Sequence, residues 1–203
     1  MTEDDAKSWI ETRYGTPAVD RIGTLLGHVR TEAIRQNLIA PSTFETMWER
    51  HVVDSAQLLD HAPAGGHWLD IGSGAGFPGM VLAALGTHHI SLVEPRRRRA
   101  TFLSDITTAL GLEARVSVYC ARVETVRLEA DVITARAVAS LDNLFAWAAH
   151  TATAETRWIL PKGKSAREEV ATAKQAWHGM FHVEHSITDP ASMIILASGV
   201  TRR

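Results

Sequence analysis

The sequence has few of the features that would place a protein in a membrane or outside the cell. Cys120 is the only cysteine among 203 residues, which excludes an internal disulfide and fits a reducing cytoplasm. No uninterrupted apolar run approaches the roughly 20 residues that span a bilayer, so we expect no membrane partner. The acidic, polar start MTEDDAKSWIETRYG is not typical of a secretory signal. These features predict a cytoplasmic protein.

The sequence also lacks a large excess of charge of either sign, since the formal net charge is −2. Residues 1–65 contain ten acidic and six basic residues, whereas the remaining chain contains thirteen and fifteen. The basic residues include a run at 96–99 and a cluster of Lys162, Lys164 and Arg167. Solvated helix starts and RNA-binding surfaces both produce such clusters, so charge alone leaves both interpretations open.

The most informative segment is a glycine-rich turn after a short apolar strand, HWLDIGSGAGFPG at residues 67–79. Gly72, Gly74 and Gly76 complete the pattern D-x-G-x-G-x-G. The dinucleotide fingerprint G-x-G-x-x-G would instead require a glycine where Phe77 stands. The segment resembles the first motif of class I S-adenosylmethionine methyltransferases, whose loop lies along the methionine part of the cofactor.

A carboxylate follows the glycine loop at the distance expected for ribose binding. Glu94 ends the next predicted strand, about twenty residues further on, and could accept hydrogen bonds from both ribose hydroxyls. The spacing therefore favours a site for S-adenosylmethionine. A dehydrogenase-like nucleotide site and a purely structural glycine turn remain the alternatives.

The order of predicted elements indicates an α/β fold of the Rossmann-like, class I methyltransferase type. Helical patterns occupy the first part of the chain, and from residue 67 onward strands and helices alternate, which predicts a largely parallel sheet covered on both faces. Two final strands without an intervening helix predict an antiparallel hairpin at one edge of a seven-stranded sheet. We expect an N-terminal helical extension (1–62) packed on a methyltransferase domain (63–203), together forming a single compact unit.

The sequence lacks the specialised residues that several nucleic-acid methylases use. No Asn/Asp-Pro-Pro-aromatic segment follows the fourth predicted strand, and Cys120 lacks the context of a cytosine carbon-5 nucleophile. By elimination, an acceptor with its own free lone pair, such as nitrogen 7 of guanine, fits best, because it needs positioning and no base. The spacing of His178, His182 and His185 does not match a metal site, so we predict no metal.

Several separated segments are similar to the RsmG family, also called GidB. They occur in the family's order and together cover most of the chain: NLIA at 37–40, ERHVVDSAQLL at 49–59, LDIGSGAGFPGMVLA at 69–83, CARVETV at 120–126, ITARAVASLDNL at 133–144 and LPKGKSAREEV at 160–170. The resemblance implies methylation of nitrogen 7 of a guanine in the 530 loop of 16S rRNA. It also implies S-adenosylmethionine as cofactor and the small ribosomal subunit as partner, and we expect a monomer.

The resemblance also assigns roles to individual residues. It implies cofactor contacts from the glycine loop, from the carboxylate after the second strand, from the pair before the fourth strand and from the arginine at the end of that strand. These residues are Gly72, Gly74, Phe77, Glu94, Val123, Glu124 and Arg136. The RNA-binding candidates are Arg122, Lys162 and Lys164.

Arg136 is the candidate for positioning the target base, since arginine is a good donor to oxygen 6 of guanine. An equally simple role is structural, as a partner of Asp70 or Glu124 that braces the glycine loop. His51 and Asp54 are spaced to contact each other on a helix. Two other functions remain open: a methyltransferase acting on a small molecule or protein, and a nucleotide-binding regulatory protein without catalysis.

Overall fold

The computed structural model of the chain describes residues 1–63 and 65–203. Its centre is one seven-stranded sheet with the strand order β3-β2-β1-β4-β5-β7-β6. The first five strands are parallel, and β7 runs antiparallel to both of its neighbours. The strands are β1 (His67–Ile71), β2 (His89–Val93), β3 (Val116–Tyr119), β4 (Ala130–Ala135), β5 (Ala152–Lys162), β6 (Trp177–His185) and β7 (Met193–Arg202). The predicted α/β class, strand number and antiparallel edge are confirmed.

Both faces of the sheet are covered by helices because the central strands are apolar on both sides. Trp68 and Val132 point into one core cluster, whereas Leu69 and Ile133 point into the other. Helices α4 and α5 pack on the first face, and α6 and α7 pack on the second. Their bounds are α4 (Gly79–Leu85), α5 (Arg97–Ala109), α6 (Leu141–Ala148) and α7 (Ala166–Ala176). Among the described residues, no helix combines the length and apolar character needed to cross a bilayer.

The N-terminal segments pack on the same face of the sheet as α4 and α5. Helix α1 spans Glu3–Tyr14 and α2 spans Thr16–Ala33, where Ile22 and Leu25 are fully buried. Buried residues of both helices belong to the same core cluster as Trp68 of β1. The apolar face of α2 therefore forms part of the principal core.

The helical segment that follows α2 is irregular. It consists of a 3₁₀ turn (Pro41–Thr46), a π-helical turn (Trp48–Val53), the short helix α3 (Asp54–Ala56) and a second 3₁₀ turn (Gln57–His61). Such π-helical turns are rare and occur often at functional sites. This turn contains His51, whose side chain faces the glycine loop.

The strand order creates the crevice in which ligands bind in doubly wound sheets. β1 lies between β2 and β4, so the chain changes direction across the sheet at β1. The loops that follow these three strands diverge at their carboxyl ends and leave an opening between them. The residues after Ile71, Val93 and Ala135 therefore surround one site.

Candidate functional site

The glycine loop leaves β1 in a backbone conformation that residues other than glycine rarely adopt. Gly72, Gly74 and Gly76 have φ values of 68°, 55° and 94°. The amides of Gly72 and Ser73 both donate to the carbonyl of Val93, which ties the loop to the end of β2. A Cβ added to Gly72 would lie only 2.6 Å from Val138 Cγ2. The loop thus turns tightly and passes close to the segment after β4.

Glu94 fixes the opposite side of the crevice. Its side chain is 3% exposed, and its two oxygens accept hydrogen bonds from Gly74 N at 3.0 Å and Arg96 N at 2.8 Å. A carboxylate can accept about four hydrogen bonds, so each oxygen retains capacity for one more. Glu94 therefore orients the glycine loop and can still bind a pair of hydroxyl groups.

These elements enclose a cavity of about 410 Å³, a size in the usual range for small-molecule sites. Four of the predicted cofactor residues, Gly72, Glu94, Val123 and Glu124, line it together with the RNA-binding candidate Arg122. Trp147 and Val138 also line it. Sequence reasoning assigned a role to neither: Val138 lies within the segment 133–144 that resembles the family but was given no contact there, and Trp147 of α6 approaches the crevice only in the folded chain.

Arg122 and Glu124 form an ion pair at the rim of this cavity. Arg122 NH2 lies 2.9 Å from Glu124 Oε1, and this hydrogen bond holds the pKa of Glu124 below its ordinary value. The Arg122 side chain is largely exposed. Its guanidinium can therefore reach a ligand outside the crevice without leaving Glu124.

Phe77 and Arg136 lie behind the glycine loop, outside the residues that line the cavity. The Phe77 ring stacks on His51 with centroids 4.8 Å apart and an interplanar angle of 11°. The Arg136 guanidinium carbon lies 5.3 Å from the centroid of the same ring. In this structure the two side chains thus contact each other and His51 and do not line the cavity, and the cofactor contacts expected of them stay predictions.

Arg136 is bound by three groups of the helical segment 41–61. Its NH1 donates to Asp54 Oδ2 at 3.2 Å and to the carbonyl of Arg50 at 3.1 Å, and its NH2 donates to His51 Nδ1 at 2.9 Å. A bracing role was one of the two predicted alternatives, but the predicted partners, Asp70 and Glu124, are wrong. His51 and Asp54 meet at this guanidinium.

The bonds around His51 define its protonation state. Since a guanidinium only donates, Nδ1 of His51 must accept, and Nε2–H donates to Thr43 Oγ1 at 2.9 Å. Burial and the charges of Arg136 and Arg50 lower the pKa of His51 to about 3. The ring is therefore neutral throughout the physiological range.

Lys162 and Lys164, both predicted to contact RNA, are placed differently. The Lys162 side chain is 10% exposed, and its Nζ donates to the carbonyl of Ala139 and to Glu169 Oε2, both at 2.7 Å. Lys164 is exposed two residues later. The Lys162 charge is therefore paired within the protein, whereas Lys164 remains accessible, and RNA contact by either lysine stays a prediction.

A second cavity, of about 400 Å³, adjoins the crevice. Ala137 and Val138 line both, and Asp54, Lys162 and Glu169 line the second alone. The segment after β4 therefore forms part of the wall of both cavities, and Val138 lines each of them. Among the described residues, no group of three His, Cys, Asp or Glu side chains is arranged to hold a metal ion.

Asp70 lies beneath the loop in full burial. Its Oδ2 accepts from Gly79 N at 3.1 Å, and its Oδ1 has no hydrogen-bond partner among the described residues. Loss of solvation raises the pKa of Asp70 from 3.8 to about 7. The folded protein thus retains this proton at pH values where the unfolded chain has lost it.

We expect Asp70→Asn to change the pH dependence of stability. The raised pKa means that the contribution of Asp70 to wild-type stability falls between about pH 4 and pH 7, by as much as about 4 kcal/mol for three pKa units, and levels off above. Asparagine at position 70 cannot ionise, so the free energy of unfolding of the variant should rise relative to that of the wild type across this pH range. Urea unfolding at pH 4, 5.5, 7 and 8.5 measures this, and parallel curves for the two proteins would contradict it.

The chain matches known proteins over nearly its whole length. A family model described as rRNA small subunit methyltransferase G (GidB) matches residues 21–190. The Ribosomal RNA small subunit methyltransferase G of Rhizorhabdus wittichii is 45% identical over 207 residues, covering 100% of this chain and 95% of that protein. The protein of the same name from Erythrobacter litoralis is 42% identical, covering 98% and 97%.

Solved structures share the fold at low sequence identity. The crystal structure of a SAM-dependent methyltransferase from Aquifex aeolicus has a TM-score of 0.61 at 16% identity and covers 81% of this chain and 96% of its own. A mutant of MtNAS, solved in complex with S-adenosylmethionine, has a TM-score of 0.61 at 15% identity, with 88% and 71% coverage. The sheet order and these likenesses establish the class I fold. The family match and the full-length relatives show that the chain belongs to the GidB family, rRNA small subunit methyltransferase G.

Proposed function

We propose that this protein transfers the methyl group of S-adenosylmethionine to nitrogen 7 of one guanine in the 530 loop of 16S rRNA. The observation that carries the proposal is that the crevice shares Val138 with a second cavity. The carboxylates that line this second cavity, Asp54 and Glu169, are each already paired with a cation. The family match supports small-subunit rRNA as the substrate. The adjoining cavities support a reaction that requires positioning and no base.

The cofactor side of the site fits S-adenosylmethionine. The two Glu94 oxygens suit the ribose hydroxyls, the close turn at Gly72 suits the methionine part, and Val123 and Glu124 suit the adenine. A Cβ at position 72 would clash with Val138, the residue that lines both cavities. When bound, S-adenosylmethionine supplies a methyl group that is already activated.

The acceptor side lacks a free base among its lining carboxylates. Asp54 is 3.2 Å from the Arg136 guanidinium, and Glu169 is 2.7 Å from Lys162 Nζ. Both carboxylates are therefore already engaged by cations of the protein itself. Nitrogen 7 of guanine offers a lone pair without losing a proton, so the residues of this cavity need only hold the base in line with the methyl group.

An arginine cluster at the start of α5 suits the RNA backbone. None of the ion pairs among the described residues involves Arg96, Arg97 or Arg98. Cations at a helix N-terminus oppose the helix dipole, and the first turn of α5 contains no acidic residue. Phosphate groups would satisfy both the arginines and the helix end. Arg122 and Lys164, both exposed, extend this assignment to the crevice rim and to the start of α7.

The remaining features of the proposal concern organisation. Residues 1–62 act as a helical extension of the methyltransferase domain 63–203, supported by the single core cluster that joins α1, α2 and the sheet. The protein acts in the cytoplasm as a monomer, and its single cysteine, which is exposed, is in keeping with a reducing compartment.

Methylation of small ribosomal subunits tests the function. Subunits from cells that lack this protein should accept one methyl group from S-adenosylmethionine when the purified protein is added. Mass mapping of nuclease digests should place that group in 7-methylguanosine within the 530 loop. Methylation of another base, of ribosomal protein or of free metabolites in place of this guanine would contradict the proposal, as would binding of NAD or FAD instead of S-adenosylmethionine.

Glu94→Ala tests the cofactor site. Removing charge-assisted hydrogen bonds to the ribose should weaken S-adenosylmethionine binding by roughly 1–3 kcal/mol, measured by calorimetry. Glu113→Ala, at an exposed position after α5, is the matched control and should bind normally. Equal affinity of the Glu94 variant and the wild type would exclude this placement of the ribose.

A further inference from the structure

The loop after β4 is the structural boundary between the two cavities. Val138 is 37% exposed, and it lines both spaces. Its Cγ2 would lie 2.6 Å from a Cβ at Gly72, so Val138 packs directly on the glycine loop. A shift of this loop would change the separation between a ligand in the crevice and one in the second cavity.

The loop adopts a backbone conformation that its own sequence does not favour. Ala137 has φ 57°, in the left-handed region, and is the only residue other than glycine with positive φ among residues 1–63 and 65–203. Alanine rarely adopts this conformation unless its surroundings impose it. Contacts from elsewhere in the fold must therefore hold the loop in place.

Lys162 and Glu169 provide those contacts. Lys162 Nζ donates to the carbonyl of Ala139, and Glu169 Oε2 accepts both from Lys162 Nζ and from Leu141 N at 2.9 Å. Glu169 Oε1 in turn accepts from Ser165 Oγ at 3.2 Å. The pair thus bonds to the loop at two backbone groups, one on each side of Ser140.

We propose that Lys162 is a positioning residue that acts through Glu169 and the loop 137–141. It fixes Val138 against the glycine loop and so sets the alignment of the target base with the cofactor. This inference rests on the proposed function, but it assigns Lys162 a role different from RNA binding. A residue with this role affects the turnover rate more than the binding of either substrate.

Lys162→Met tests the inference, because methionine keeps the aliphatic stem and removes the charge. We expect kcat for small-subunit methylation to fall at least tenfold, while the Kd for S-adenosylmethionine stays within twofold of the wild type. The salt dependence of RNA binding should not change. Hydrogen exchange of the amides at 138–141 should become faster, with or without substrate. Lys174→Met, exposed on the same helix as Glu169, is the control and should match the wild type in all four measurements.

Two results would overturn the inference. One is a wild-type kcat in folded Lys162→Met. This holds also if the slope of log RNA affinity against log salt concentration drops by about one, as expected for a lost phosphate contact. The other is unchanged hydrogen exchange at 138–141. If wild-type protein failed to methylate the subunits, the proposed function would be wrong, and hydrogen exchange alone would still decide whether Lys162 fixes the loop.

Glu169→Gln provides the same test if Lys162→Met does not fold. Glutamine retains an acceptor for Leu141 N and removes the charge that Lys162 pairs with. A reduced kcat with an unchanged Kd for S-adenosylmethionine is the expected result. A folded Glu169→Gln protein with wild-type kcat would overturn the inference.

Discussion

The guanidinium of Arg136 is the interaction on which the rest of the site depends. It projects from the end of β4 and is bound by Asp54, His51 and the carbonyl of Arg50, all from the segment before the sheet. Its side chain is only 18% exposed. A largely buried charge is strongly destabilising without partners. The contact between the segment 41–61 and the carboxyl end of the sheet therefore stabilises both.

The consequences of this contact extend to both cavities. On one side His51 stacks on Phe77 and supports the glycine loop that lines the cofactor crevice. On the other side Asp54 accepts from Arg136 and, through Oδ1, from Gln57 and Thr188, which joins the turn between β6 and β7 to the same cluster. One buried charge thus fixes three segments that are far apart in the sequence. The proposed methyl-transfer site is formed between them.

The sequence predicted the parts of the site that are local in the chain. Gly72 and Glu94 follow strands and carry a recognisable spacing, so their positions at one crevice follow from the fold class. Lys162 was predicted to contact RNA because a short basic cluster does not show that one of its lysines pairs with Glu169, only seven residues further on. Arg136 was identified as important, but its true partners lie more than 80 residues away. Spacing predicts motifs well, whereas long-range side-chain pairing requires the packed structure.

A double-mutant cycle between Asp54 and Arg136 tests this account most directly. Asp54→Asn and Arg136→Met should each destabilise the protein, because each leaves a largely buried group without its partner. The double variant should be destabilised by less than the sum of the two single effects on the free energy of unfolding. Urea unfolding should give a coupling free energy of about 1.5 kcal/mol or more. Additivity within about 0.5 kcal/mol would show that the two residues act independently and would contradict the account.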